Sequence, residues 1–158
     1  MTPAIEAARE AAREANLSFQ IHEYEHDPSI QSYGEEAATE LGVDRKRVFK
    51  TLVVELNTKE LCVYVLPIMH QLNMKFAARA AGVKKATMAN AKLVVRVTGY
   101  VLGGVSPIGQ KRNLRTFIDT TAGNFDSVYV SGGRRGLDIE LNALGLADLL
   151  QAEIVDLC

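Results

Sequence analysis

Residues 48–66 read VFKTLVVELNTKELCVYVL. Val48 to Leu56 and Leu61 to Leu66 are rich in β-branched and aromatic side chains, and the polar connection Asn57-Thr58-Lys59-Glu60 joins them. Two such runs around a short polar link predict a β-hairpin, the clearest in the chain. Helix and strand signals continue outward on both sides. Toward the N-terminus, Thr2 supplies an N-cap and Pro3 a first helical residue for an Ala/Glu/Arg-rich helix to Ala15. A short strand from Phe19 then runs toward the Asp27-Pro28 turn, and Ser32 with Glu35 predicts a capping box for a helix closed by Gly42. Toward the C-terminus, Asn73 caps a helix ending at Gly82, and Asn90 caps one that runs out by Gly99. Strands follow at Arg115–Asp119, Val128–Ser131 and Leu137–Leu141, the last two joined by a turn over Gly132–Gly136. Asn142 caps a final helix, and Ile154-Val155 offers one more strand.

Helices and strands are interspersed without a strict βαβ rhythm, and neither an internal repeat nor a low-complexity linker interrupts them. The expectation is one mixed α/β domain over residues 1–158. At this length a core can form without disulfides or a structural metal. Two cysteines, Cys62 and Cys158, are too few for a disulfide scaffold and suit a reducing compartment. The charged N-terminal stretch lacks the apolar region of a signal peptide, and no apolar run approaches membrane-spanning length. A cytoplasmic protein with no membrane partner is expected.

The formal net charge of −1 hides an uneven distribution. Residues 1–44 carry 2 basic and 10 acidic side chains, residues 45–115 carry 14 and 2, and residues 116–158 carry 2 and 7. Either the three segments interleave in space and cancel, or the middle one presents a local positive face to a polyanion.

The usual catalytic constellations are missing. His22, His26 and His70 have no CxxC or HExxH pattern around them, and His26-Asp27 is better explained as an exposed histidine at an Asp-Pro turn. There is no GxSxG elbow, no GxxxxGK[ST] loop and no cysteine with an activating neighbour. No metal and no cofactor is expected.

Three segments are unusual for plain packing. Lys50 interrupts an apolar strand, either as a solvent-facing position or as a point charge projecting into a cleft. Gly99 to Gly109 holds four glycines and a proline, so it is either a structural loop or one whose amides approach a ligand. Lys111, Arg112 and Arg115 follow it closely. Ser131-Gly132-Gly133-Arg134-Arg135-Gly136 is a turn by composition, with two arginines able to meet phosphates.

Taken in order, Phe49-Lys50-Thr51-Leu52, then Gly99-Tyr100-x-x-Gly103-Gly104-Val105-Ser106-Pro107-x-Gly109, then Tyr129-Val130-Ser131-Gly132-Gly133-x-Arg135-Gly136-Leu137 resemble the YbaK type of Cys-tRNA(Pro) deacylase. That group shares a superfamily with the editing domain inserted in bacterial prolyl-tRNA synthetases. Met1-Thr2-Pro3-Ala4 and Tyr24-x-His26-Asp27 also match, so the resemblance spans nearly the whole chain. It implies a central mixed, partly barrel-like sheet flanked by helices. The implied activity is trans-editing of cysteine mischarged onto tRNA(Pro), with Cys-tRNA(Cys) as a further substrate.

The resemblance implies that Lys50 is the central functional lysine and that Gly103 lies in the pocket, where its amides are expected to meet the substrate carbonyl as a catalytic group. It puts Tyr24, Tyr33, Thr51, Gly104, Ser131 and Asp138 in the substrate pocket; the basic Lys111, Arg112, Arg134 and Arg135 beside the loop and turn are then expected as tRNA contacts. Tyr33 stands where relatives often carry Phe, and Ile108 where an aromatic residue is common. The implied chemistry uses the substrate's own thiol and no protein nucleophile, and the implied partners are aminoacyl-tRNA and a ternary complex with prolyl-tRNA synthetase. Two other readings stay open. One is an editor of Ala-tRNA(Pro), although such relatives tend to place a histidine in the distal pocket and no histidine follows His70 here. The other is a non-catalytic module that binds tRNA or a synthetase.

Overall fold

The hairpin forms as expected. In the computed structural model, which describes residues 1–158, β2 (Phe49–Leu56) pairs antiparallel with β3 (Leu61–Pro67), and Phe49 lies opposite Pro67. Before it come α1 (Pro3–Ala15), β1 (Phe19–Glu23) and α2 (Tyr33–Leu41). After it come α3 (Met74–Ala81), β4 (Ala86–Met88), α4 (Ala91–Thr98), β5 (Arg115–Asp119), β6 (Val128–Arg134), β7 (Leu137–Leu141), α5 (Ala143–Leu150) and β8 (Glu153–Val155). No helix is long and apolar enough to cross a membrane.

The strands form two sheets in the orders β4-β2-β3-β5-β8 and β1-β7-β6. In the larger sheet β3 pairs in parallel with β5, and β5 with β8. Every residue of β3 is buried, as a strand covered on both faces requires. Strand alternation sends Val53, Val63, Val65 and Ile118 to one face and Val54, Cys62, Tyr64 and Phe117 to the other. The first face meets Val128, Val130, Leu137 and Ile139 of the smaller sheet, so the main core lies between the sheets, closed by residues of α1, α4 and α5. The second face is covered by Ala77, Ala78 and Ala81 of α3.

Thr2, Asn73, Asn90 and Asn142 each cap a helix by accepting from a backbone N–H. Ser32 departs from this pattern. Its backbone sits at φ −89°, ψ 78° and its hydroxyl makes no cap bond, so the predicted capping box is absent and Glu35 pairs with Arg45 instead. The turn read over Gly132–Gly136 is also shorter than expected. β6 runs on to Arg134, and the register with β7 shifts between Ser131 and Arg134, which makes Gly132-Gly133 a bulge.

β4 pairs only with Val54, Glu55 and Leu56, so the outer edge of β2 from Phe49 to Leu52 has no strand beside it there. One isolated parallel bridge, Val48 with Tyr129, links the backbones of the two sheets. Beyond that bridge β2 and β6 no longer pair, and a cleft opens between them.

Candidate functional site

The cleft has a volume of about 500 Å³. β2 contributes Phe49 to Leu52, the start of α2 contributes Tyr33 to Glu35, and the loop after α4 contributes Leu102, Gly103 and Val105. The β6–β7 hairpin adds Ser131, Arg134, Arg135 and Asp138, and Tyr24 closes the remaining side. Lys50, Gly103, Tyr24, Tyr33, Thr51, Ser131, Asp138, Arg134 and Arg135 are thus brought to one place. Gly104 lies just behind the lining, where a Cβ would come within 2.8 Å of Arg134 Cα. Its N–H donates to Val101 O at 3.0 Å, so it is spent on a turn, whereas the Gly103 N–H has no acceptor within the protein. Lys111 and Arg112 lie outside the cleft, where their amides donate to Thr98 O and Val97 O at the end of α4.

One wall of the cleft holds polar groups without partners. Lys50 is half-buried and makes no ion pair, and burial holds its ammonium below the ordinary lysine range. The Thr51 hydroxyl oxygen is buried with no hydrogen-bond partner. Asp138, directly across the β6–β7 ladder from Ser131, is 6% exposed, and burial lifts its carboxyl to about 7. Its proton is therefore held far more tightly than that of an ordinary aspartic acid. Burial first, then the charge of Asp138, pushes the Tyr24 phenol up to about 12, so it remains a neutral O–H group. The Ser131 hydroxyl accepts from Gly133 N at 3.1 Å, which steadies the bulge.

The facing wall is a connected chain. Glu36, 5% exposed, accepts from Asp27 N at 2.9 Å through Oε2 and meets His26 Nδ1 at 2.6 Å through Oε1. His26 Nε2 lies 3.3 Å from Arg135 Nη1, and Arg135 Nη2 donates to Tyr33 Oη. Arginine can only donate, so His26 Nε2 accepts and the ring proton sits on Nδ1, facing Glu36. The Arg135 guanidinium carbon lies 3.9 Å from the centroid of the Tyr33 ring. Gly103 packs against this pair at φ +89°, and a Cβ there would come within 2.6 Å of Tyr33 Cε2 and 2.7 Å of Arg135 Nε. Only glycine fits that position.

His26 is therefore half-buried and paired, although the sequence read it as exposed. Asp27 does make the expected turn, accepting from Ser29 N and Oγ. Neither Glu36 nor the use of Arg135 as a strut has a sequence signal, because the chain of contacts joins the loop before α2 and α2 itself to a hairpin about a hundred residues away. Arg134 is exposed, 3.8 Å from Glu23. Burial pushes the Cys62 thiol up to about 11, and Cys158 stands at about 11 as well, so neither is poised as a thiolate. The cleft can thus bind a polar ligand and stabilise developing charge, while its Ser131 and Thr51 hydroxyls have no histidine base beside them.

The family model described as an aminoacyl-tRNA editing domain matches residues 27–149. Over 123 residues the chain is 36% identical to EbsC of Enterococcus faecalis, named as a proposed Cys-tRNA(Pro)/Cys-tRNA(Cys) deacylase, covering 78% of this chain and 75% of that protein. It is 31% identical over 134 residues to a proline–tRNA ligase of Syntrophotalea carbinolica, matching 78% of this chain and 23% of that longer enzyme. Among solved structures, the hypothetical protein APE2540 superposes with a TM-score of 0.84 at 28% identity, covering 96% of this chain and 98% of that one. A structure described as a proposed trans-editing enzyme for prolyl-tRNA synthetase superposes with a TM-score of 0.82 at 22% identity, covering 99% and 98%.

Proposed function

The chain belongs to the aminoacyl-tRNA editing domain family, and on that premise we propose that it is a trans-editing deacylase that clears cysteine mischarged onto tRNA(Pro). A single observation carries this reading: the cleft gathers a half-buried lysine, an orphaned hydroxyl, an unpartnered carboxyl and a free glycine amide, with no activated nucleophile among them. Such a site suits a substrate that brings its own nucleophile. Cysteine is close to proline in size, and a synthetase pocket rejects a near-isostere by only about 1–3 kcal/mol, so separate clearance is needed.

In this reading the substrate sulfur attacks its own ester carbonyl. A C–S bond forms, the C–O bond to the terminal ribose breaks, and the thiol proton is given up as the ribose oxygen gains one. The products are a cyclic thiolactone and free tRNA. The Gly103 N–H meets the developing oxyanion. Lys50 holds the leaving oxygen or the terminal phosphate as a point charge. Asp138 faces the substrate ammonium, and Tyr24, Thr51 and Ser131 complete the polar lining. These groups hold the ester in the bent geometry that lets sulfur and carbonyl meet.

Deacylation of Cys-tRNA(Pro), Ala-tRNA(Pro) and the seryl and S-methylcysteinyl analogues by the purified protein tests this. Only the cysteinyl ester should be lost quickly, and Lys50→Ala should abolish that loss. Equal rates for the S-methyl analogue would rule out attack by the substrate thiol. No loss from any aminoacyl-tRNA would favour a binding module.

A further inference from the structure

From Leu61 to Ile118 the sequence contains no Asp or Glu but nine Lys and Arg residues, of which only Arg115 forms an ion pair, with Glu60. Four of the other cations meet at one helix. Lys92 and Arg96 are exposed one turn apart on α4. The Lys111 side chain lies against Gly99 at the end of that helix, its Cγ 3.1 Å from where a Cβ would stand. Arg112 is fixed beside it by the bond from its amide to Val97 O. Positions 92, 96 and 99 fall on one helical face, and Val95, 40% exposed, lies between them. The chain then runs through the exposed Val101 and Leu102 directly into the cleft at Gly103.

This arrangement is not what helix stability selects. Arg96 and Lys111 suit the negative C-terminal end of α4, but Lys92 stands in the first turn, where a cation opposes the helix dipole. Lys92 and Arg96 also repel as like charges one turn apart. Helix α1 shows the ordinary alternative, with Glu6 in its first turn, Arg13 in its last and both signs mixed along its exposed face. The α4 face is thus a self-repelling row of cations that no carboxylate of the chain relieves.

Building on the proposed deacylase reading, we propose that the exposed face of α4, with Lys111 and Arg112, is the surface on which the RNA backbone of the aminoacyl-tRNA rests while its acylated 3′ end enters the cleft past Leu102. Phosphates supply the missing negative charge. A protein partner matches the surface less well, because protein interfaces are depleted in lysine and enriched in aromatic residues, and no aromatic side chain is exposed on this face.

The test measures binding of uncharged tRNA by fluorescence anisotropy between 50 and 200 mM salt, a range over which a protein contacting several phosphates loses affinity steeply. The double variant Lys92→Gln/Arg96→Gln should bind about tenfold or more weakly at low salt. The slope of log K against log salt should become shallower by about 1.4–1.8, since each lost phosphate contact removes about 0.7–0.9. Its thermal midpoint should be unchanged or higher, because the repulsion is gone, which separates lost binding from lost folding. Arg9→Gln/Arg13→Gln on α1 should bind like the wild type.

Unchanged tRNA affinity and salt slope in the α4 variant would overturn the assignment. So would loss of binding to purified prolyl-tRNA synthetase with tRNA binding intact. Loss of the cysteinyl group from the cysteinyl ester of adenosine alone, which does not reach α4, should be the same in both proteins. A wild type that deacylates nothing yet binds tRNA through α4 would refute the deacylase reading and support this one.

Discussion

On one side of the cleft, polar groups of the segment before α2, of α2 itself and of Arg135 at the tip of the β6–β7 hairpin are tied in a chain from Asp27 N through Glu36, His26 and Arg135 to the Tyr33 hydroxyl. On β2 and β7, comparable groups are left unanswered, with Thr51 Oγ1 unbonded, Lys50 unpaired and Asp138 held as a buried carboxyl whose proton affinity burial raises. Glu36 and Asp138 are equally buried, at 5% and 6% exposure, so burial alone does not explain the difference. A buried unsatisfied group costs about 1–3 kcal/mol, which folding alone has no reason to retain. In the proposed function the saturated side acts as scaffold and packs against Gly103, while the unsatisfied side meets a ligand that supplies the missing partners. Polar groups left unpaired in one cleft mark a site more clearly than any motif in this chain.

Asp138→Asn should break the contrast most severely. The lift of the carboxyl from 3.8 to about 7 corresponds to about 4 kcal/mol in favour of its protonated form. Between those values the folded protein binds more protons than the unfolded chain, so stability falls as pH rises from about 4 to 7 and stays low above it. The amide cannot ionise. Urea unfolding should show the variant more stable than wild type at pH 8 by up to about 4 kcal/mol, with the gap closing toward pH 4. Deacylation should fall about 10- to 100-fold, the equivalent of one lost contact to a charged group at about 1.5–3 kcal/mol. A variant both less stable and fully active would show that Asp138 belongs to the scaffold.

Glu36→Gln probes the opposite wall and should have the opposite signature. An amide at that position still meets one donor but cannot hold both His26 Nδ1 and Asp27 N as a carboxylate does, so the variant should lose about 1–3 kcal/mol of stability. Arg135 and Tyr33 would then grip Gly103 less firmly, and deacylation should drop about tenfold through kcat, with KM little changed. Loss of stability without loss of rate would show that the strut does not position the glycine.

These two residues also show how much the chain discloses before it folds. The hairpin and the Asn73, Asn90 and Asn142 caps were legible because each depends on residues within a few positions of one another. β4 was not, since Ala86–Met88 is three residues long with two of them exposed and shows no alternation. Gly132-Gly133 was misplaced because glycine serves a turn and a bulge equally well. The resemblance gathered Lys50, Thr51, Ser131 and Asp138, whereas composition alone leaves Lys50 open between a solvent-facing strand position and a charge projecting into a cleft. The strut escaped both routes, because Glu36 and His26 meet Arg135 only after the α2 region and the β6–β7 hairpin have folded together.

Thr51→Val should sharpen the comparison with the smallest effect. The hydroxyl oxygen is buried without a partner, so replacing it by a methyl group of similar volume removes a desolvation cost and adds apolar contact with β2's surroundings. Stability should rise by about 1 kcal/mol by thermal or urea unfolding, where the same change at a bonded threonine would lower it. If the oxygen is kept to meet substrate, deacylation of Cys-tRNA(Pro) should fall a few-fold, the scale of one neutral hydrogen bond at about 0.5–1.5 kcal/mol. The sign of the stability change and the loss of rate are independent readouts. A stabilised variant with undiminished rate would mean that the orphaned oxygen is a packing accident and that the ligand-facing wall begins at Lys50 and Asp138.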